Sequence, residues 1–158
     1  MLSGKLIVMH DRGKWSDSGY HAIVTIDGVK DAFIGSSWPN PFKPSNPTIK
    51  LDKYAGAICS GTYIYQYSYK AHNGDIGFNL RTENGIFNGN IPTINANPNQ
   101  NNQLIATNID IHSGSKPNWR GSLGCITINP YYANDFFANF NEGEQGLFIL
   151  ERDFEEVS

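Results

Sequence analysis

One cysteine and one histidine in a short stretch of this chain are placed to do chemistry together. The stretch runs Ile111-His112-Ser113-Gly114 and then Gly121-Ser122-Leu123-Gly124-Cys125-Ile126. A thiol is a poor nucleophile until it loses its proton, and a neighbouring imidazole is the usual acceptor. His112 and Cys125 are thirteen positions apart. Two strands joined by a loop of that size bring both side chains to one end of a sheet. Gly114 and Gly124 let the backbone turn sharply there, and the N–H groups around Cys125 can then face a developing oxyanion. Ser122 can bond within the turn or to a substrate. Taken singly, each residue has an ordinary structural reading. A cysteine beside glycine in a β protein usually packs, and a lone strand histidine usually satisfies local hydrogen bonds. Together they point to acyl transfer, with Cys125 as nucleophile and His112 as base. A catalytic thiol of this kind is expected to react quickly with alkylating agents near neutral pH.

The elements that must position this pair read mostly as strands. Lys5 to Met9 is a short apolar run. Tyr20 to Ile26 leads into the turn dipeptide Asp27-Gly28, with Val29 to Ile34 as the return strand. Trp38 to Pro47 carries four prolines and reads as a loop. In Thr62 to Tyr69 the tyrosines 63, 65, 67 and 69 recur at every second position. A period of two puts them on one face, packed on the core or lining a groove. Ile76 to Arg81 is the expected partner. Asn88 to Asn102, rich in Asn, Pro and Gly, reads as a long polar loop and a candidate lid. Leu104 to His112 returns to strand, with Asp110 and His112 facing one way and Ile109 and Ile111 the other. Asp110 is therefore a candidate orienter of the imidazole. Cys125 to Ile128 is a short strand. Asn129-Pro130 resembles a helix start, and Tyr132, Phe136, Phe137 and Phe140 make one apolar helix face over Tyr131 to Phe140. Leu147 to Leu150 closes the chain. The expected fold is mainly β, a sandwich or barrel-like single domain over residues 1–158, with one substantial helix after the nucleophile strand.

The arrangement His…Ser-x-Gly-Cys-Ile, with Gly61-Thr62-Tyr63 upstream, resembles the L,D-transpeptidase (YkuD-like) catalytic domain. The matching positions are His112, Gly114, Ser122, Gly124, Cys125 and Ile126. The resemblance spans about residues 55–150, and its specific part is 112–126. It implies an L,D-transpeptidase-like β fold in which Cys125 attacks a peptidoglycan stem peptide. It also implies that His112 is the base, held by a backbone carbonyl rather than by Asp110. Three departures mark a divergent branch, similar to small enzymes delivered into rival bacteria or carried by phage. Thr127 follows Ile126 where the family has Arg or Asn, the His–Cys spacing is short, and Ser60 replaces a proline. Arg120 is then the candidate for the substrate-carboxylate contact, through a bidentate pair. The same thioester serves water and an amine, so carboxypeptidase and transpeptidase outcomes stay open. Partners of this branch would be stem peptides, with an immunity protein or a secretion or phage component beside them.

Composition narrows the alternatives. The net charge of -3, without a long basic run, argues against nucleic acid. No apolar stretch nears the roughly 20 residues of a membrane span, and the first ten residues read as strand rather than signal peptide. An enzyme acting in the periplasm or wall, of its own or of a target bacterium, would then travel by another route. Neither H-E-x-x-H nor Cys-x-x-Cys occurs, so no metal or other cofactor is expected. Papain-like and NlpC/P60-like enzymes place Cys before His. Only Cys59 fits that order, with His72 or His112 as its base, and its surroundings read as strand rather than helix start. A Cys59–Cys125 bridge stays open. The alternative from another class is a β domain that binds glycan or protein without catalysis.

Overall fold

The computed structural model describes residues 2–12, 22–38, 56–97, 100–115 and 124–153. Strand alternation builds it. In β1 (Ile7–Asp11) and β2 (Ala22–Ile26) every second side chain is buried. β3 (Phe33–Ser36), β4 (Gly61–His72) and β5 (Asp75–Arg81) follow. Next come β6 (Ile91–Asn97), β7 (Gln103–Ala106), β8 (Asp110–Ser113) and β9 (Ile126–Ile128). Helix α1 (Ala133–Phe137) and β10 (Gln145–Arg152) complete the order. Eight strands close a barrel in the order β1-β10-β4-β5-β8-β9-β3-β2, and β6 and β7 form a separate two-stranded sheet. The expectation of a mainly β fold holds, in the barrel form. Two barrel pairings are parallel, β1 with β10 and β8 with β9. Among the described residues no helix is long and apolar enough to cross a membrane.

The interior is aromatic. Tyr63, Tyr65 and Tyr67 of β4 are buried, whereas Tyr69 is exposed, so three of the four alternating tyrosines face the core. Phe78 of β5 is fully buried and touches Tyr65 and Tyr67. It also meets Phe136, Phe137 and Phe140 at centroid separations of 4.8–5.9 Å. These edge-to-face and tilted pairs fit the quadrupole preference of aromatic rings and add to plain area burial. The helix thus locks onto the strand that lies next to β8. Ile91 and Ala106 join the same buried cluster, which ties the small sheet to the barrel.

Four expectations change. The strand expected over Leu104 to His112 is two, β7 in the small sheet and β8 in the barrel, because the chain crosses from one sheet to the other between them. The return strand of the first hairpin begins at Phe33 rather than Val29, because the turn after Ile26 is longer than the Asp27-Gly28 dipeptide suggests. The helix is short and starts at Ala133, with Tyr132 as its N-cap. Asn129 accepts a hydrogen bond from the Tyr131 N–H at 3.0 Å and makes a turn of its own, while its N–H donates to Ile34. An Asx turn and a cap draw on the same side chain, and here the turn wins. The Asn-rich segment is not a structureless loop. Ile91–Asn97 is strand, and Ile58 bridges to Thr93. Asn88, Asn101 and Asn102 sit at positive φ, a conformation asparagine tolerates better than most residues. The loop expected from Trp38 to Pro47 lies, after Trp38, outside the described residues.

Phe78 couples barrel and helix, so Phe78→Ala should cost about 3–5 kcal/mol of unfolding free energy. Denaturant unfolding measures this. A loss below about 1 kcal/mol, the size of an ordinary point change, would contradict the role given to this ring.

Candidate functional site

Parallel pairing of β8 with β9 aligns Ile111 with Ile126 and His112 with Thr127. Ile111 and Ile126 both enter the core. Side chains one step away, His112 and Cys125, therefore lie on the other face of this strip. Gly124, immediately before the nucleophile strand, has φ of 140°, and a Cβ there would meet the Gly56 carbonyl oxygen at 2.9 Å. Both facts favour glycine at the position before Cys125. Gly114 is held differently. Its N–H donates to Ile128 at 2.9 Å, extending the β8–β9 pairing, and is committed to the barrel rather than to an oxyanion. Ser122 and Arg120 lie outside the described residues.

The sulfur of Cys125 and one ring nitrogen from each of His112 and His72 lie within 4.8 Å of one another. His112 Nδ1 is 2.7 Å from the Ser113 carbonyl oxygen. A carbonyl only accepts, so Nδ1 carries the proton and Nε2 keeps the lone pair. Burial pulls the His112 pKa below its ordinary value, the Ser113 carbonyl opposes this, and His72 adds to it. His112 is thus a neutral base at neutral pH. Burial likewise pushes the Cys125 thiol up to about 11, although the Asp110 N–H, 3.5 Å from the sulfur, opposes the shift. The resting pair is a thiol and an imidazole, not a thiolate and an imidazolium. Both cysteines are free thiols, so the bridge left open by the sequence is not formed.

Asp110 was a candidate orienter of His112, and the structure gives it a different partner. Its Oδ2 lies 3.0 Å from His72 Nδ1, and its Oδ1 accepts from Asn79 Nδ2 at 2.8 Å. His112 and Asp110 are two residues apart on one strand, and the carboxylate reaches across the sheet instead of along it. His72 and His112 stack face to face, with ring centroids 3.8 Å apart and planes 5° from parallel. Gly77 pairs with His112 in the intervening strand β5, where a Cβ would meet the Ile111 carbonyl oxygen at 2.6 Å.

The sequence offers His72 only as a possible partner of Cys59 and not as part of the Cys125 site. The signal that could have found it is Asn73-Gly74, a two-residue hairpin dipeptide between the Tyr-rich strand and its partner. Both residues have positive φ, 49° and 85°, and His72 pairs with Asp75 across that turn. The dipeptide places His72 at a strand end but does not reveal that β8 lies on the far side of β5.

Two histidines and a cysteine are a soft ligand set for zinc or copper. A bound ion lies close to the plane of each imidazole that holds it. Two planes stacked in parallel share no such point, so the rings as arranged suit proton transfer and would have to rotate to share an ion. A cavity of about 270 Å³ opens beside them, lined by His72, Asp75, Ile76, His112, Asn134 and Phe137 among others. Comparison with protein-family models, with curated proteins and with solved structures gave no match to this chain.

The raised thiol pKa alters the expectation of fast labelling near neutral pH. In a Cys59→Ala background, alkylation of Cys125 should climb about tenfold per pH unit and level off only near pH 11. Peptide mass spectrometry follows the rate. A plateau already reached at about pH 7 would mean that the site holds a preformed thiolate.

Proposed function

We propose that the protein is a cysteine-dependent acyl-transfer enzyme acting on peptidoglycan stem peptides, with an L,D-transpeptidase-like catalytic domain. The observation that carries this reading is the meeting of Cys125 with an imidazole whose Nδ1 proton is held by the Ser113 backbone carbonyl. That is the orienter implied by the resemblance of the segment His112 to Ile126. The carbonyl accepts the hydrogen bond of the Nδ1 proton and leaves Nε2 as the accepting nitrogen of that ring.

In the proposed reaction the substrate carbonyl, between an L-centre and a terminal D-residue, approaches the thiol. His112 Nε2 takes the thiol proton as sulfur attacks. The S–C bond forms, the C–N bond breaks, and the leaving amine receives the proton from His112. The tetrahedral oxyanion is stabilised by N–H groups of the turn at Gly124 and Cys125. Ser122 tunes that turn, and Arg120 pairs with the substrate carboxylate. Water resolves the thioester in an L,D-carboxypeptidase, and an amine does so in a transpeptidase. No metal or cofactor enters these steps. Peptidoglycan lies outside the cytoplasmic membrane, so on this reading the enzyme works in the periplasm or wall, as an antibacterial effector in a target cell or as a phage enzyme. An immunity protein and a delivery component are the partners that such a role calls for.

Mass spectrometry of muropeptides after incubation tests the chemistry. Wild-type protein should shorten or exchange tetrapeptide stems. Cys125→Ala should abolish turnover, because no thioester can form. His112→Ala should lower it by about 10²–10⁴-fold, and Cys59→Ala should leave it near wild type. Unchanged muropeptides with folded, reduced protein would remove the reading. Activity lost in Cys59→Ala but kept in Cys125→Ala would reassign the nucleophile.

The effector role has a separate test. Protein exported to the periplasm should round or lyse cells, protein kept in the cytosol should not, and Cys125→Ala should be harmless in both places. Equal harmlessness of exported wild type would remove that role.

A further inference from the structure

Asp110, His72 and Cys125 form a second route for protons at the same sulfur. The His72 ring contributes a nitrogen to the group within 4.8 Å that includes Cys125 Sγ. Its Nδ1 faces the Asp110 carboxylate at 3.0 Å. A carboxylate oxygen that accepts the hydrogen bond of the Nδ1 proton leaves the lone pair, in the neutral ring, on Nε2. The carboxylate is itself fixed, since Asn79 donates to its other oxygen at 2.8 Å. The Asp110 side chain is 8% exposed and the His72 side chain 27%. A buried carboxylate behind a half-buried imidazole is the arrangement that stabilises an imidazolium once it forms. His112 has a carbonyl dipole in that place rather than a full charge.

Two bases beside one thiol suggest a division of work. His72 and His112 both line the 270 Å³ cavity, and Cys125 does not. A molecule occupying that cavity meets the two imidazoles, and His72 is the one backed by a carboxylate. We infer that His72, oriented by Asp110, is the general base of the second half-reaction, taking a proton from the water or amine that resolves the thioester. This inference rests on the acyl-transfer reading above and assigns a step within it.

The step balances without another reactant. The O–H or N–H proton of the incoming nucleophile passes to His72 Nε2 as its oxygen or nitrogen bonds to the thioester carbon. The C–S bond then breaks, and the sulfur takes the proton back from His72. His112 serves acylation, where the proton starts on sulfur. His112 has passed its proton to the leaving amine by then, and of the two rings His72 is the one whose imidazolium a carboxylate supports.

The test uses the full chain with a disaccharide-tetrapeptide muropeptide and reads two quantities. Intact-protein mass spectrometry reports the acyl-enzyme, and single-turnover chromatography reports release of the terminal residue. In His72→Ala, release in the first turnover should stay within a few-fold of wild type, while steady turnover falls by about 10²–10⁴-fold and acyl-enzyme accumulates. Asp110→Asn, nearly the same size, should accumulate it too, because an amide that donates to Nδ1 favours the wrong tautomer. It carries the test if the alanine variant does not fold. His112→Ala should instead fail before the acyl-enzyme forms. First-turnover release and steady turnover falling together in both variants would mean a structural role and overturn the assignment. Wild-type turnover in both would overturn it as well. A wild-type protein that turns over keeps the acyl-transfer reading whatever these variants do, whereas one that never acylates removes that reading and this step with it.

Discussion

The parallel pairing of β8 with β9 is the constraint on which the site depends. Antiparallel neighbours can be joined by a tight turn, but parallel ones need a long connection. The stretch from Gly114 to Cys125 provides it. Because Ile111 pairs with Ile126 and both are buried, the register cannot slip by one residue without turning two isoleucines out of the core. The same register holds His112 and Cys125 on the opposite face. Hydrophobic burial on one side of the strip therefore decides the geometry of polar groups on the other.

Barrel closure extends that control. β5 lies between β4 and β8, so groups from three strands meet on one surface: His72, Asn79 and Asp110 with His112. Gly77 lets β5 approach the Ile111 carbonyl of β8 closely. Behind that surface, Phe78 joins β5 to the phenylalanines of α1. Asn79, Asp110, His112 and Cys125 each adjoin a buried core residue (Phe78, Ile109, Ile111 and Ile126), whereas His72 stands at the end of its strand. Rotamers fixed by packing and hydrogen bonds are what a preorganised proton-transfer site requires.

Desolvation sets the charge state. It raises the thiol and lowers the His112 imidazole, so both favour their neutral forms. On the proposed acyl-transfer reading, proton transfer then belongs to the moment of attack rather than to the resting state. The carbonyl on His112 and the carboxylate on His72 fix the same tautomer in both rings but differ in how strongly they support a positive charge.

Much of the architecture is legible along the chain, because strand alternation and turn chemistry act over a few residues. The alternating tyrosines of β4, the partner strand β5 and the apolar face of α1 are all of this local kind. So is the pairing of a histidine with a cysteine across a glycine-bracketed segment. The Asn-rich segment was misread because its composition suits the left-handed turns of a hairpin as well as a loop. The helix start was misread because one asparagine served a turn instead of a cap. The partner of Asp110 was beyond reach of the sequence. The face shared by Asp110 and His112 is a local property, but the arrival of His72, thirty-eight positions away from Asp110, follows from the order of strands around the barrel. The sequence by itself marked most of the barrel strands, a candidate nucleophile and a candidate base. Tertiary structure alone decided which imidazole the carboxylate holds, because strand order and register are settled by long-range burial and not by any pattern of neighbours.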